Sequence, residues 1–314
     1  MNQGNTPIRT GQARFYRLSQ YLRNAFGKPV RKITIDGGFT CPNRDGSIGE
    51  GGCIFCDPLS FSPSRRRGRR NIREQITEGI GRLTRGPRVE AFIAYFQPGT
   101  NTHAPVGELR RVFEEALGHS QVVGLAIGTR PDCLGEPVLD VLAEFHRRTW
   151  LCTEIGLQTI HDRTLRRIRR GHDAETFFDA AARMRGRGLR FAVHVIVGLP
   201  DESREEIRQT ANTLAREGMH SVKIHNPYIT KGAPLKQLWR NGEWPLPAME
   251  EYVSLVADFL ERLPPECVIE RLTGEAPREY LVAPDWCLGK AAVIQAVESE
   301  LRRRGTRQGD RFEA

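Results

Sequence analysis

No run of about 18 apolar residues occurs anywhere in the 314-residue chain, so no transmembrane helix is expected. The opening MNQGNTPIRTGQARF lacks the apolar core of a secretory signal. Cysteine is scarce and odd in number, seven in all, which does not make a disulfide framework in so long a chain. With no export signal, a reducing cytoplasm is the expected compartment. Acidic residues are outnumbered, 38 against 47 Lys and Arg, leaving a formal charge of +9. That excess suits a polyanionic partner, RNA above all, and equally suits a merely basic proteome. The basic runs SRRRGRRNIR (Ser64–Arg73), Arg166, Arg167, Arg169 and Arg170, and Arg302–Arg304 could follow a phosphate backbone or form a solvated surface. They are poor in aromatics, so no stacking platform for single-stranded bases is visible. What is present, 39% hydrophobic and 27% charged residues, fits a soluble globular enzyme built as one large barrel or two modest domains.

Apolar β-rich runs alternate with amphipathic ones from about residue 32 onward. The expected strands are Lys32–Asp36, Ala91–Phe96, Val122–Gly128, Leu151–Gln158, Arg190–Gly198 and Ser221–His225. Between them lie the helical patterns Ile72–Leu83, Val106–Leu117, Pro137–Arg148, Ala174–Arg187 and Ser203–Glu217. Strand followed by helix, six times over, predicts an α/β fold with a parallel sheet and helical crossovers. Six units are too few for a closed eight-fold barrel, so the expectation is a partial (β/α)6 TIM-like barrel with its chemistry at the strand C-termini. Residues 1–30 read as an N-terminal helical extension with a helix over Ala13–Phe26. Residues 31–230 are the barrel core, and residues 231–314 a closing segment of the same domain. In that segment Cys267 to Arg304 reads as one more strand, a loop and a helix, and Gln308 to Ala314 as a frayed end. Ser203 with Glu206 predicts a capped helix start, and Gly188 after Arg185 and Arg187 a helix stop.

Three of the cysteines fall together. Cys41, Cys53 and Cys56 stand in CPNRDGSIGEGGCIFC, with eleven residues between the first two and two between the last two. The loop follows a strand and is rich in Gly, Asn, Asp and Pro, which allow tight turns with backbone amides aimed at an anionic centre. No fourth cysteine lies nearby, and three thiolates on a four-iron cluster leave one iron open to a small molecule. A zinc site would need a fourth ligand, His103 or another cysteine.

This segment resembles the cluster loop of radical S-adenosylmethionine (radical SAM) enzymes. Their usual spacing is three residues and then two. The eleven here resembles a narrower group, the bacterial YhcC/YtqA-type radical SAM proteins, related to the catalytic subunit of Elongator. Further segments similar to that family follow in order: YFQPGTNTHAPV from Tyr95, GLAIGTRPDCL from Gly124, EIGLQTIHDRTLRRIRRGHD from Glu154, HVIVGLPDES from His194, KIHNPYITKGAPL from Lys223, then RLTGEAP and APDWCLGK. The resemblance implies a [4Fe-4S] cluster on Cys41, Cys53 and Cys56, with SAM on the open iron. It also implies a 5′-deoxyadenosyl radical that takes a hydrogen from the substrate, and a flavodoxin- or ferredoxin-like electron donor.

The same resemblance places SAM contacts at the strand ends. Gln97, Thr100 and Asn101 stand where the family carries a glycine-rich methionine-binding segment. Glu154 and Gln158 share a strand face and suit the ribose hydroxyls or the ammonium; Glu154 equally suits a nearby Arg. His194 and Gly198 match the strand motif near the adenine, His194 serving as a contact or as a core histidine. Thr129 and Arg130 lie at the active-site edge, with Arg130 able to meet the SAM carboxylate. Phe55 shields the cluster, contacts the adenine or fills core. Cys133 forms a substrate adduct, donates a hydrogen atom or is simply buried, and is the candidate catalytic thiol. Kinship with Elongator implies tRNA as the partner, through modification of a wobble-uridine side chain. A small metabolite or a peptide is the alternative substrate, and a zinc-stabilised RNA-binding protein the alternative without turnover.

Overall fold

The computed structural model describes residues 13–66, 68, 71–86 and 89–313. Its strands are β1 (Val30–Ile35), β2 (Ala91–Phe96), β3 (Val122–Thr129), β4 (Trp150–Gln158), β5 (Phe191–Ile196), β6 (Ser221–His225), β7 (Ile229–Thr230), β8 (Val268–Arg271) and β9 (Leu281–Ala283). Seven of them form one parallel sheet in the order β1-β2-β3-β4-β5-β6-β8, curled into a half-barrel; β7 and β9 make a small antiparallel pair. The seventh parallel strand, β8, is the one expected in the tail, so the barrel has one strand more than the six repeats suggest.

Parallel strands covered on both faces need near-continuous apolar sequence, and AFIAYF of β2 is buried at every position. The outer layer comes from helices such as Val106–Leu117, which buries Leu109, Val112, Phe113 and Ala116 on one stripe. Phe113 sits with ring centroids 5.3 Å from Phe96 and 5.6 Å from Phe145, locking two helices to the sheet. The expected caps form. Ser203 and Glu206 make a reciprocal capping box ahead of Arg204–Ala215, and Gly188 stops the preceding helix at φ 65° with its N–H on Arg185 O.

Two expectations at the chain ends fail for one reason. The first helix spans Leu18–Phe26 rather than starting at Ala13, because residues 15–17 are drawn off to the edge of β8, where Tyr16 O accepts from Ile269 N at 2.7 Å. The segment from Gln308 is not frayed. Gln308 is 2% exposed, accepts from Tyr16 N at 2.8 Å and donates to Pro264 O and Cys267 O. Tertiary hydrogen bonds outweigh local propensity at both ends.

Candidate active site

Two joined cavities occupy the C-terminal mouth of the sheet. One, of about 340 Å³, is lined by Cys41, Cys53 and Cys56 together with Thr100, Arg130 and Arg170. The other, of about 220 Å³, runs into the barrel between Glu154, Gln158, His194, Lys223, Tyr228 and Arg271. Phe55, Cys56, Phe61, Gln97, Gly99 and Thr129 belong to both walls.

The cysteine loop is held by backbone turns. Arg44 N and Asp45 N donate to Cys41 O, Cys56 N donates to Cys53 O, and Ile54 N donates to Ile168 O at 3.1 Å. Donors also reach sulfur: Asn43 Nδ2 and Arg170 Nη1 each lie 3.5 Å from Cys53 Sγ. Hydrogen bonds to the ligating sulfurs are among the features that tune iron–sulfur clusters. Burial, with Cys53 beside it, pushes the Cys56 thiol up to about 12, and metal coordination would draw that proton off. Gly99 shapes the shared wall at φ 80°, where a Cβ would lie 2.6 Å from Phe39 O. The three thiols, their sulfur donors and this side-chain-free wall fit an anionic cluster with a ligand alongside. A zinc site closed by cysteine or histidine would need a fourth ligand beside them. No other cysteine lines the cavity, and His103 is turned to Asp45 at 3.1 Å.

The inner chamber is backed by a buried ion network that the sequence reading missed. Glu154 accepts from Lys32 at 2.6 Å, from His194 at 2.7 Å and from Lys223. Lys32 also reaches Glu270 at 2.5 Å, and Lys223 donates to Tyr95 Oη at 3.0 Å. Burial alone would push the Glu154 carboxyl up, but Lys223, Lys32 and His194 hold it well below the usual carboxylate range. Glu154 is therefore a counter-ion for two lysines rather than for an arginine. Burial and Lys223 lower the His194 pKa against the pull of Glu154. The available signal was a charge in the middle of an apolar strand, as in VRKITI, SVKIH and VIER.

The remaining expected residues divide. Phe55, Gln97 and Thr129 line both cavities, Thr100 and Arg130 the cluster side, and Gln158 and His194 the inner side. Gln158 holds φ 89°, a left-handed conformation strained for a non-glycine residue, at the cavity wall. Arg130 spends its fork on Asp132, both bonds at 2.9 Å, and a further N–H on Arg170 O, so the fork expected for the SAM carboxylate is engaged within the fold.

Three residues are not on either wall. Asn101 is fully buried, its amide nitrogen tying Phe96 O to Gly128 O. Gly198 turns the chain at φ 89° against Pro247. Cys133 ends a 3-10 turn, Pro131–Cys133, and lines a separate depression with Thr102, His103 and Asp132. Burial and Asp132 push its thiol up to about 12, so it is neither at the chamber nor a ready nucleophile.

Some described arginines of the basic runs work inward. Arg65 binds Asp36 and Phe39 O, and Arg66 lies 5.4 Å over the Tyr280 ring. Arg167 lies over Trp244, Arg170 binds Gly156 O, and Arg304 joins Asp258 and Glu261. Arg73, Arg166, Arg167, Arg169, Arg302 and Arg303 are exposed, while Arg67, Arg69 and Arg70 lie outside the described residues.

Residues 41–214 match the radical SAM superfamily and residues 219–303 the Radical_SAM C-terminal domain. YtqA of Bacillus subtilis is 39% identical over 314 residues, 100% of this chain and 98% of that protein. YhcC of Escherichia coli is 39% identical over 85% of each. A tRNA uridine(34) acetyltransferase of Dehalococcoides mccartyi is 25% identical over 56% of this chain and 38% of its own. The solved Elp3 of Methanocaldococcus infernus shares the fold at a TM-score of 0.68 and 17% identity, covering 89% of this chain and 64% of that one. Among the described residues no helix is long and apolar enough to cross a membrane. With the cluster cavity opening onto the barrel interior and both domains matched, this chain belongs to the radical SAM superfamily as an enzyme of the YhcC/YtqA type, a family that binds a [4Fe-4S] cluster and SAM.

Proposed function

We propose that this radical SAM enzyme acts on tRNA, at a uridine side chain, with the reacting group in the inner chamber. The observation that carries the placement is the shared wall: Phe55, Cys56, Gln97 and Thr129 border both the cysteine cavity and the chamber. When bound, the cluster and SAM supply an electron transfer that yields methionine and a 5′-deoxyadenosyl radical. Cys41, Cys53 and Cys56 hold the cluster, and Asn43 and Arg170 stabilise the negative charge on Cys53. Gln97, Thr129 and the open backbone at Gly99 take the methionine end of SAM. Gln158 takes the ribose, with Glu154 and His194 fixing the wall beneath it. Phe55 and Phe61 keep water from the reacting carbon. A flavodoxin- or ferredoxin-like protein of the cytoplasm provides the electron.

Support for RNA comes from the likeness to a tRNA uridine(34) acetyltransferase and from the +9 charge. A second reading, a small metabolite or peptide as substrate, is favoured by the arginines committed inside the fold. Nucleoside mass spectrometry of tRNA from cells with and without the gene separates the two. A uridine derivative altered in the deletion strain, together with tRNA-stimulated 5′-deoxyadenosine formation by the anaerobically prepared enzyme, is the expected result. Identical nucleoside profiles and no stimulation would overturn the tRNA assignment.

A further inference from the structure

The chamber holds more positive charge than its own carboxylates consume. Lys32, Lys223 and Arg271 stand against Glu154 and Glu270, and the first two cations close on those two carboxylates. Arg271, the last residue of β8, does not. Among the described residues its nearest carboxylate is Glu275 at 3.8 Å, a half-exposed group that Lys290 also approaches at 3.5 Å. No hydrogen bond from its guanidinium to a described residue is formed, although the side chain is only 23% exposed and borders the chamber. A guanidinium carries five donors, and these face the chamber without an acceptor from a described residue.

The surroundings are built to hold it there. Asn226 Oδ1 accepts from Thr273 Oγ1 at 2.8 Å and Gly274 N at 2.7 Å, clamping the turn after Arg271 to the end of β6. The turn is pressed so close that a Cβ at Gly274 would lie 2.8 Å from the Tyr228 ring and 3.3 Å from His225 Nδ1. The Tyr228 hydroxyl and the His225 ring border the same end of the chamber, and neither makes a side-chain hydrogen bond to a described residue. One fork and two flanking polar residues thus border a space that no acceptor of a described residue fills.

We propose that Arg271, flanked by Tyr228 and His225, is a subsite for an oxyanion, a carboxylate or phosphate, carried by the molecule on which the radical acts. This rests on the proposed function only for what enters the chamber. The same chemistry could be offered by the methionine carboxylate of SAM, so the test must separate the two.

Calorimetric titration of malonate and of inorganic phosphate, at constant ionic strength, into the cluster-loaded anaerobic enzyme saturated with SAM provides it. At least one oxyanion binds the wild type, and R271Q weakens it by about tenfold or more, the loss expected for charge-assisted bonds. R271K falls between, because an ammonium lacks the fork. E275Q removes the competing carboxylate outside the chamber and tightens binding, which keeps the test alive if R271Q folds poorly. SAM affinity is the same in R271Q as in wild type. Absence of oxyanion binding, unchanged affinity in R271Q or E275Q, or a loss of SAM affinity in R271Q would overturn the assignment. Should tRNA fail as substrate while malonate or phosphate still binds through Arg271, only the RNA reading falls.

Discussion

Replacing Glu154 by Gln keeps the side-chain volume and removes one charge from the centre of the barrel. Glu154 is wholly buried, and its partners Lys32 and Lys223 are 13% and 8% exposed. After the change Lys32 keeps Glu270 at 2.5 Å, but the nearest carboxylate left to Lys223 is Glu270 at 3.8 Å, already engaged. One ammonium is then buried without a close counter-ion, a defect that costs about 3–5 kcal/mol. For a chain of this size the melting temperature should fall by roughly 5–8 °C. The double variant E154Q/K223M removes both members of the pair and should recover most of the loss, as an uncharged pair often matches a buried ion pair. Thermal unfolding of anaerobic preparations with equal iron content measures all four corners of the cycle. If E154Q melts within a degree or two of wild type, or if the double variant loses the sum of the singles, the network is not the strut described here.

Two other outcomes follow from the geometry. Burial, with Arg190 and Lys32 near, lowers His220 from 6.5 to about 3, so the folded protein keeps it neutral while the unfolded chain protonates below 6.5. Its stabilising effect is complete above pH 6.5 and is lost as pH falls toward 3, with a slope of about 1.4 kcal/mol per pH unit. His220→Phe, which keeps the edge contact to Tyr21, should flatten the stability profile by that slope in urea unfolding between pH 6 and pH 5 (roughly the range where the unfolded imidazole is charged). Parallel profiles would contradict this. Asn43→Leu deletes a donor 3.5 Å from Cys53 Sγ, so the cluster should become harder to reduce. A redox titration followed by electron paramagnetic resonance reads this, and an unchanged or raised potential would show that the contact does not tune the cluster.

Much of the architecture was legible because it is local. The helices Ile72–Leu83 and Val106–Leu117 begin and end where pattern and caps put them, and the capping box at Ser203 needs only four consecutive residues. The cysteine loop was equally plain, since its spacing is a property of one segment. What escaped depends on register between distant strands. A lysine inside KITI or VKIH announces an inward polar position, but pairing Lys32 and Lys223 with Glu154 and Glu270 requires the stagger of β1, β4, β6 and β8. Cys133 misled because it neighbours Thr129 and Arg130 in sequence, whereas the turn at Pro131 aims it away. Gly198 misled because it turns the chain at φ 89° against Pro247 and lines neither cavity. The arginine runs read as surface, yet the acceptors that claim Arg65, Arg170 and Arg304 are carbonyls and carboxylates from other elements.

The knot around Gln308 has a bearing on how the molecule tolerates being cut. Its amide joins Tyr16 near the amino end to Pro264 and Cys267 ahead of the last parallel strand, while Gln308 N donates to Arg14 O. Trimming the chain before Gln308 would strand those polar groups in a dry setting, so both extremities share a single latch. Nibbling by an exopeptidase at the carboxyl side would thus loosen the opposite extremity too, and damage that looks peripheral on a linear map would be felt at the floor of the barrel.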